Sequence, residues 1–262
     1  MSQMSIPSAF GRKSGESIFQ DQDRSKNNVT ADARITISKI GLWSAVLTSI
    51  CSAGYGIAVI AVFVASLSIQ STSPAQGWTG IDAFLAAFDP IQMLPVIPSL
   101  LLVPAFTVLM VAIDAYAPEE KKIWGRLGLA FTLIYASMAA INYMVQLFPV
   151  WRSINNGETD GLAMFVLGNP HSVFWALAYA YIFMNLAMLF AAPVFAGNPL
   201  EKRIRMLFIL NGVSGVATLV SLFFDSPPVY LLGSLIFWCP VFTAAMVSAA
   251  VLFTRTGRRS KS

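Results

Sequence analysis

Six apolar runs, at about 41–68, 91–115, 127–149, 171–195, 207–224 and 229–253, contain a single charged side chain, Asp114. Each is close to or above the roughly 20 residues that a helix needs to cross the hydrocarbon core of a bilayer. Within lipid a chain must satisfy its own backbone, which leaves helices as the spanning form for runs of this length. The expected fold class is therefore all-α: a six-helix transmembrane bundle. Three segments follow, namely a polar N-terminal stretch over 1–39, a membrane domain over 40–254 and a basic tail over 255–262.

Charged residues make up 11% of the chain, less than half the share usual in soluble proteins. Nearly all of that charge lies outside the runs, where its density returns to that of an ordinary soluble surface. Soluble and disordered classes are excluded by the apolar content, and a disulfide scaffold by the presence of only two cysteines.

The basic residues set the expected orientation. Arg12, Lys13, Arg24, Lys26, Arg34 and Lys39 precede run one; Lys121, Lys122 and Arg126 follow run two; Lys202, Arg203 and Arg205 follow run four. Arg255, Arg258, Arg259 and Lys261 close the chain, and Arg152 alone falls on the opposite side. Both termini are thus expected to be cytoplasmic, with anionic lipid as the partner of the basic flanks. The same topology explains the net charge of +4, so no nucleic-acid partner is expected. Residues 1–39 hold no early apolar stretch, so run one is read as the targeting element and the segment before it as disordered. The Asn28-Val29-Thr30 sequon would then be cytoplasmic and unused.

Two exterior loops carry the next signals. Ile81, Phe84, Leu85 and Phe88 share one helical face, and Leu162, Phe165 and Val166 repeat the start of that spacing. Two short interfacial helices are expected. Each loop ends in a cap and a proline, Asp89-Pro90 and Asn169-Pro170. The loops align at an offset of 80, with Gly77 facing Gly157, Thr79 facing Thr159, Ala83 facing Ala163 and Pro90 facing Pro170. Two readings stand: parallel repeats of the kind transporters use, or two hairpins that need the same caps.

Ionisable residues inside a membrane are the first functional pointers, and here there is only Asp114. Polar stripes are more informative. Run five places Asn211, Ser214, Thr218, Ser221 and Asp225 within an arc of about 80°. Run three has Tyr135, Asn142 and Gln146 on one face, run two has Gln92, Ser99, Thr107 and Asp114, and run four adds Asn185. These faces cannot favourably meet lipid. They either glue helices together, at about 0.6–2 kcal/mol per contact, or line a conduit between helices two, three and five for a small neutral or amphipathic ligand. Pro95, Pro98 and Pro104 predict a kinked or partly broken helix two beside that seam.

The competing class is a membrane-embedded enzyme acting on lipid at the outer rim, with His171 beside Asp89 or Asp225. A structural or sensory subunit is the third. No metal-ligand spacing, phosphate-binding loop, nucleophile elbow or dinucleotide fingerprint occurs, so no metal, cofactor or catalytic residue is expected. Cys51 and Cys239 read as inert buried thiols. Trp43, Trp78, Trp124, Trp151 and Trp175 sit near run ends, as aromatic belts do.

The stretches Gly157-Glu158-Thr159-Asp160-Gly161-Leu162 and Asn169-Pro170-His171-Ser172-Val173-Phe174-Trp175-Ala176-Leu177 resemble a group of prokaryotic multi-pass membrane proteins of unknown function. The likeness covers mainly the last three-fifths of the chain. It implies a plasma-membrane location and supplies no activity. In that group an acidic residue often follows the Ala-Leu pair, where this chain has Ala178, so no role of that carboxylate carries over.

Overall fold

The computed structural model describes residues 13–68, 78–221 and 238–259. Among them every regular element is helical, and six helices are long and apolar enough to cross a membrane. The long elements are α1 (Lys13–Ser68), α3 (Val96–Tyr116), α4 (Lys122–Val145), α7 (Ala180–Ala191), α8 (Pro199–Ser221) and α9 (Cys239–Arg259). Short helices α2 (Ile81–Ala86), α5 (Trp151–Asn156) and α6 (Val173–Ala178) lie at one end of the bundle, the capped end. The turns at 117–121 and 195–198 mark the other, basic end.

Each long helix packs on its neighbours in the chain, and α9 closes back on α1, so the six form a ring. Small residues permit the close approaches, as membrane packing requires. A Cβ on Gly128 of α4 would sit 2.9 Å from the Ala187 carbonyl and from Ala191 of α7, and one on Gly212 of α8 would sit 2.4 Å from Leu189 Cβ. The apolar residues left outside, among them Trp43, Ile50, Ile57 and Phe63 of α1 and Val213 of α8, face where lipid would lie.

Several element boundaries differ from the expectation. The segment expected to be disordered over 1–39 is helical from Lys13 onward. Nucleating a helix is costly, but extending one that the membrane domain already holds adds a hydrogen bond for each residue fixed. Helix three does not end at 149: α4 passes through a π-turn at Gln146–Val150 into α5, which stops at Gly157 in a left-handed conformation (φ 70°). The wider turn accommodates Pro149, and glycine supplies the left-handed C-terminal position without strain.

Helix two is continuous over Val96–Tyr116. Pro95 and Pro98 lie at its start, where the N–H groups have no partner within the helix and a proline costs little; Pro104 alone is interior. The interruption falls in helix four instead, at Tyr179 between α6 and α7. Helix five begins at Pro199, eight residues before its apolar run, because Asn198 caps it by accepting from the N–H groups of Leu200 and Glu201. Helix six is described from Cys239 and runs into the basic tail as far as Arg259; its expected start at 229 lies outside the described residues.

Of the two short exterior helices, α2 is present, whereas the second is a single 3₁₀ turn at Leu162–Met164. Gly161 at φ 70° before it and the turns leading to Asn169 after it leave too few residues to propagate a helix. Both loops fold onto the bundle end, where Val150, Leu162 and Val166 form a small second core covered by Ile81, Phe84, Leu85 and Ile154. The expected caps share geometry but do not open the long helices: Asp89 caps a 3₁₀ turn at Pro90–Met93 ahead of α3, and the N-cap of α6 is Ser172, three residues after Asn169. Asp89 Oδ1 accepts from Ile91 N at 2.8 Å, and Asn169 Oδ1 accepts from His171 N at 2.9 Å.

Candidate functional site

Seven aromatic side chains meet on the bundle axis, contributed by α1 (Tyr55), α3 (Phe106), α4 (Tyr135, Tyr143), α7 (Tyr181) and α9 (Phe242), with Trp238 just ahead of α9. Tyr135 lies edge-on to Phe106 at 5.9 Å between centroids and 5.8 Å from Tyr181; Tyr181 meets Trp238 at 5.2 Å; Trp238 stacks on Phe242 at 4.9 Å. Tyr143 donates to the Tyr181 hydroxyl at 2.9 Å, and Trp238 donates from its indole N–H to Asn185 Oδ1 at 3.2 Å. Such edge-on and offset pairs are favoured by the ring quadrupoles, and they fill this level of the bundle interior.

The inward face of α4 runs from this layer toward the capped end as Tyr135, Ala139, Asn142 and Gln146. Asn142 follows Tyr135 by seven residues, nearly two turns, and therefore at almost the same angle about 10 Å along the axis. Gln146 is fully engaged: Nε2 donates to the Phe165 carbonyl at 2.7 Å, and Oε1 accepts from Leu167 N at 3.3 Å. These bonds hold residues 165–167 as a cover over the end of α4. The cover is braced from behind, since Asn169 Nδ2 donates to the Ala163 carbonyl at 2.7 Å and Ser172 Oγ donates to the Val166 carbonyl at 3.0 Å. Ser172 also caps α6 by accepting from Trp175 N. The Asn169–Ser172 stretch is thus explained by backbone it holds in place.

On this face of α4 three polar atoms are buried without a hydrogen-bond partner: Tyr135 Oη and both Oδ1 and Nδ2 of Asn142. Tyr135 is fully buried and Asn142 is 1% exposed. Leaving such a group unsatisfied costs about 1–3 kcal/mol, and in a membrane interior bulk water is not at hand to help. No Asp, Glu, Lys, Arg or His belongs to the aromatic layer or to this face of α4.

The other seam residues are not gathered here. α8 packs on α7 and α9, so the expected seam of helices two, three and five does not form along the bundle. Asn211 Nδ2 donates to the Leu207 carbonyl, Ser214 to Asn211 and Thr218 to Ser214, each within its own helix. Asn211 is buried with its Oδ1 unpartnered. Thr107 likewise bonds back to Val103, the side chain of Ser221 lies outside the described residues, and Asn185 belongs to the axis through Trp238. Hydroxyls satisfied by the preceding turn of their own helix have no need of a ligand.

Asp114 sits at the basic end. Lys122 Nζ donates at 2.9 Å to the Asp114 backbone carbonyl, not to its carboxylate, and Oδ1 is buried without a partner against the site of Gly125. Of the expected outer-rim residues, Asp89 is engaged in its cap, the His171 side chain is exposed, and Asp225 lies outside the described residues. Among the described residues no three His, Cys, Asp or Glu side chains group as a metal site would require. Cys51 and Cys239 are free and buried.

No family model, curated protein or solved structure matches the chain. Among the members of the site that sequence reasoning passed over are Tyr143 and Tyr181. Their signal was a phenol in mid-span, one of them adjacent to Asn142, but they fall outside the arcs traced from amides and hydroxyls.

Proposed function

We propose that the chain is a multi-pass protein of the plasma membrane, with both termini cytoplasmic and its capped end outside, that binds a small neutral or amphipathic ligand on the bundle axis. The ligand position is beside α4, bounded by α3 and α7, and not in a seam with α8. The observation that carries this reading is Asn142, whose amide offers two donors and an acceptor and has no partner for any of them. A ligand with a donor and an acceptor close together would satisfy it, and the absence of a charged side chain from the aromatic layer and the inward face of α4 argues for a neutral one. The aromatic side chains around the axis and the cover at the capped end favour an occluded binding site over a through-channel. The stretches that resemble the prokaryotic group are the cover and its brace, so membership in that group would mean a shared cover. At the basic end, exposed Lys202, Arg203, Arg205 and Arg255 are placed to meet anionic lipid.

The sign of one substitution tests the site. If the Asn142 groups hold a ligand, Asn142→Leu lowers thermal stability in nanodiscs, by about 1–3 kcal/mol. If they are merely orphaned, removing them relieves their desolvation cost and the same variant is more stable than the parent.

Orientation is tested by cysteine labelling of intact cells with a membrane-impermeant maleimide. Gly157→Cys is expected to react and Lys121→Cys to react only after permeabilisation; the reverse pattern overturns the topology.

A further inference from the structure

A separate cavity of about 560 Å³ opens at the capped end, beside the π-turn. None of Tyr135, Asn142 or Asn185 lines it, so its reading does not depend on the axial site. Its volume lies within the range of small-molecule pockets. The cavity exists because two pieces of backbone are set apart. On one side the chain widens into the π-turn carrying Pro149; on the other, residues 157–165 fold back through left-handed Gly157 and Gly161, both at φ 70°. Extra residues in a helical turn of this kind recur at functional sites.

The lining is chemically two-sided. Val145, Pro149, Leu162 and Phe165 supply an apolar wall. Ser153 and Thr159 add hydroxyls, and Glu158 and Asp160, both solvent-exposed, add carboxylates. Among the described residues no Lys, Arg or His lines the cavity. Among the described residues the Glu158 carboxylate accepts one long hydrogen bond, from Asn156 Nδ2 at 3.4 Å, which leaves most of its acceptor capacity unused. An apolar wall facing two carboxylates with no cation among the lining residues has a defined complement.

The geometry points to this cavity as a binding site for a small organic cation with an apolar body. The ammonium lies at Glu158 and Asp160, and the hydrocarbon part rests against Val145, Leu162 and Phe165. Charge-assisted hydrogen bonds from the ammonium to the carboxylates provide orientation and selectivity against neutral analogues. Because the Phe165 carbonyl is the acceptor for Gln146, the occupant packs directly on the cover.

The test uses the full chain in nanodiscs and two probes of matched shape, 2-phenylethylamine and 2-phenylethanol, with affinity read by ligand-observed NMR. The amine is expected to bind at least tenfold more tightly than the alcohol. Glu158→Gln with Asp160→Asn is expected to erase that preference and leave the alcohol unchanged. Ser153→Trp, which fills the cavity from a half-buried position, is expected to abolish binding of both, with helicity by circular dichroism confirming that each variant folds. Equal affinity for the two probes, or an amine preference that survives either variant, would mean partition into lipid and would overturn the proposal.

Discussion

Gly215→Val is expected to separate α7 from α8 and to leave little folded protein. A Cβ at position 215 would lie 2.4 Å from Asn185 Cβ and 3.1 Å from its Nδ2. The obstructing atom is a Cβ fixed by its own helix backbone, not the movable end of a long side chain, so the helices themselves must part. Gly212 meets Leu189 Cβ at the same 2.4 Å one turn away, so the contact extends along the pair. Overpacking a tight interior costs about 1–3 kcal/mol for small additions, and a β-branched residue at such a point costs more. The disturbance also travels, because Asn185 holds the Trp238 indole and through it the aromatic layer. Thermal unfolding in detergent should show Gly215→Ala destabilised by an amount in that range and Gly215→Val too unstable to recover as a monodisperse peak. Val216→Ala, at a residue 42% exposed on the lipid side, serves as a near-neutral control. Wild-type stability in both glycine variants would show that α7 and α8 do not meet as described.

The second large effect is expected at Glu201. Its carboxylate is half-buried at the basic end and accepts four hydrogen bonds: Ala196 N at 3.2 Å, Gly197 N at 2.7 Å, Asn198 Nδ2 at 2.9 Å and the Tyr116 hydroxyl at 2.9 Å. The first three tie the turn that joins α7 to α8, and the fourth ties that turn to α3. Hydrogen bonds to a charged group are worth about 1.5–3 kcal/mol each, less for the exposed bonds from Gly197 and Asn198, so the part-buried ones from Tyr116 and Ala196 carry most of the effect. Glu201→Ala should therefore cost on the order of 3 kcal/mol or more. Glu201→Gln should fall between, since one carboxamide oxygen can still accept from Tyr116 and Asn198 while its NH₂ cannot accept from Ala196 or Gly197. A double-mutant cycle with Tyr116→Phe isolates the α3–α8 bond, and a coupling near zero would show that Tyr116 gains nothing from it.

Helix type, number and approximate extent were legible because they follow from the cost of placing charge and unpaired backbone in lipid, which every residue of a span reports. Boundaries were less so, since a helix held by the membrane domain extends cheaply through Lys13–Ile40 and through Pro199–Met206, where composition alone reads as loop. Asp89 and Asn169 were identified as caps from their position before proline, and both accept the N–H two residues on.

The site was legible in part. Periodicity placed Tyr135, Asn142 and Gln146 on one face, and that face does point inward. The same reasoning grouped Asn211, Ser214 and Thr218 with them, because a polar arc looks the same whether its hydroxyls need a partner or bond back to their own helix. Which helices adjoin is a property of the ring, and no single-helix pattern encodes it. Gln146 differs from Asn142 only through the Phe165–Leu167 backbone that reaches it from nineteen to twenty-one residues away.

The most direct measurement is native mass spectrometry of the protein released from nanodiscs, parent against Asn142→Leu. The account predicts a small non-lipid species bound to the parent in one-to-one ratio and absent from the variant. Identical spectra, or a parent carrying only lipid, would contradict it and leave Tyr135 and Asn142 as polar groups that the bundle buries at its own cost.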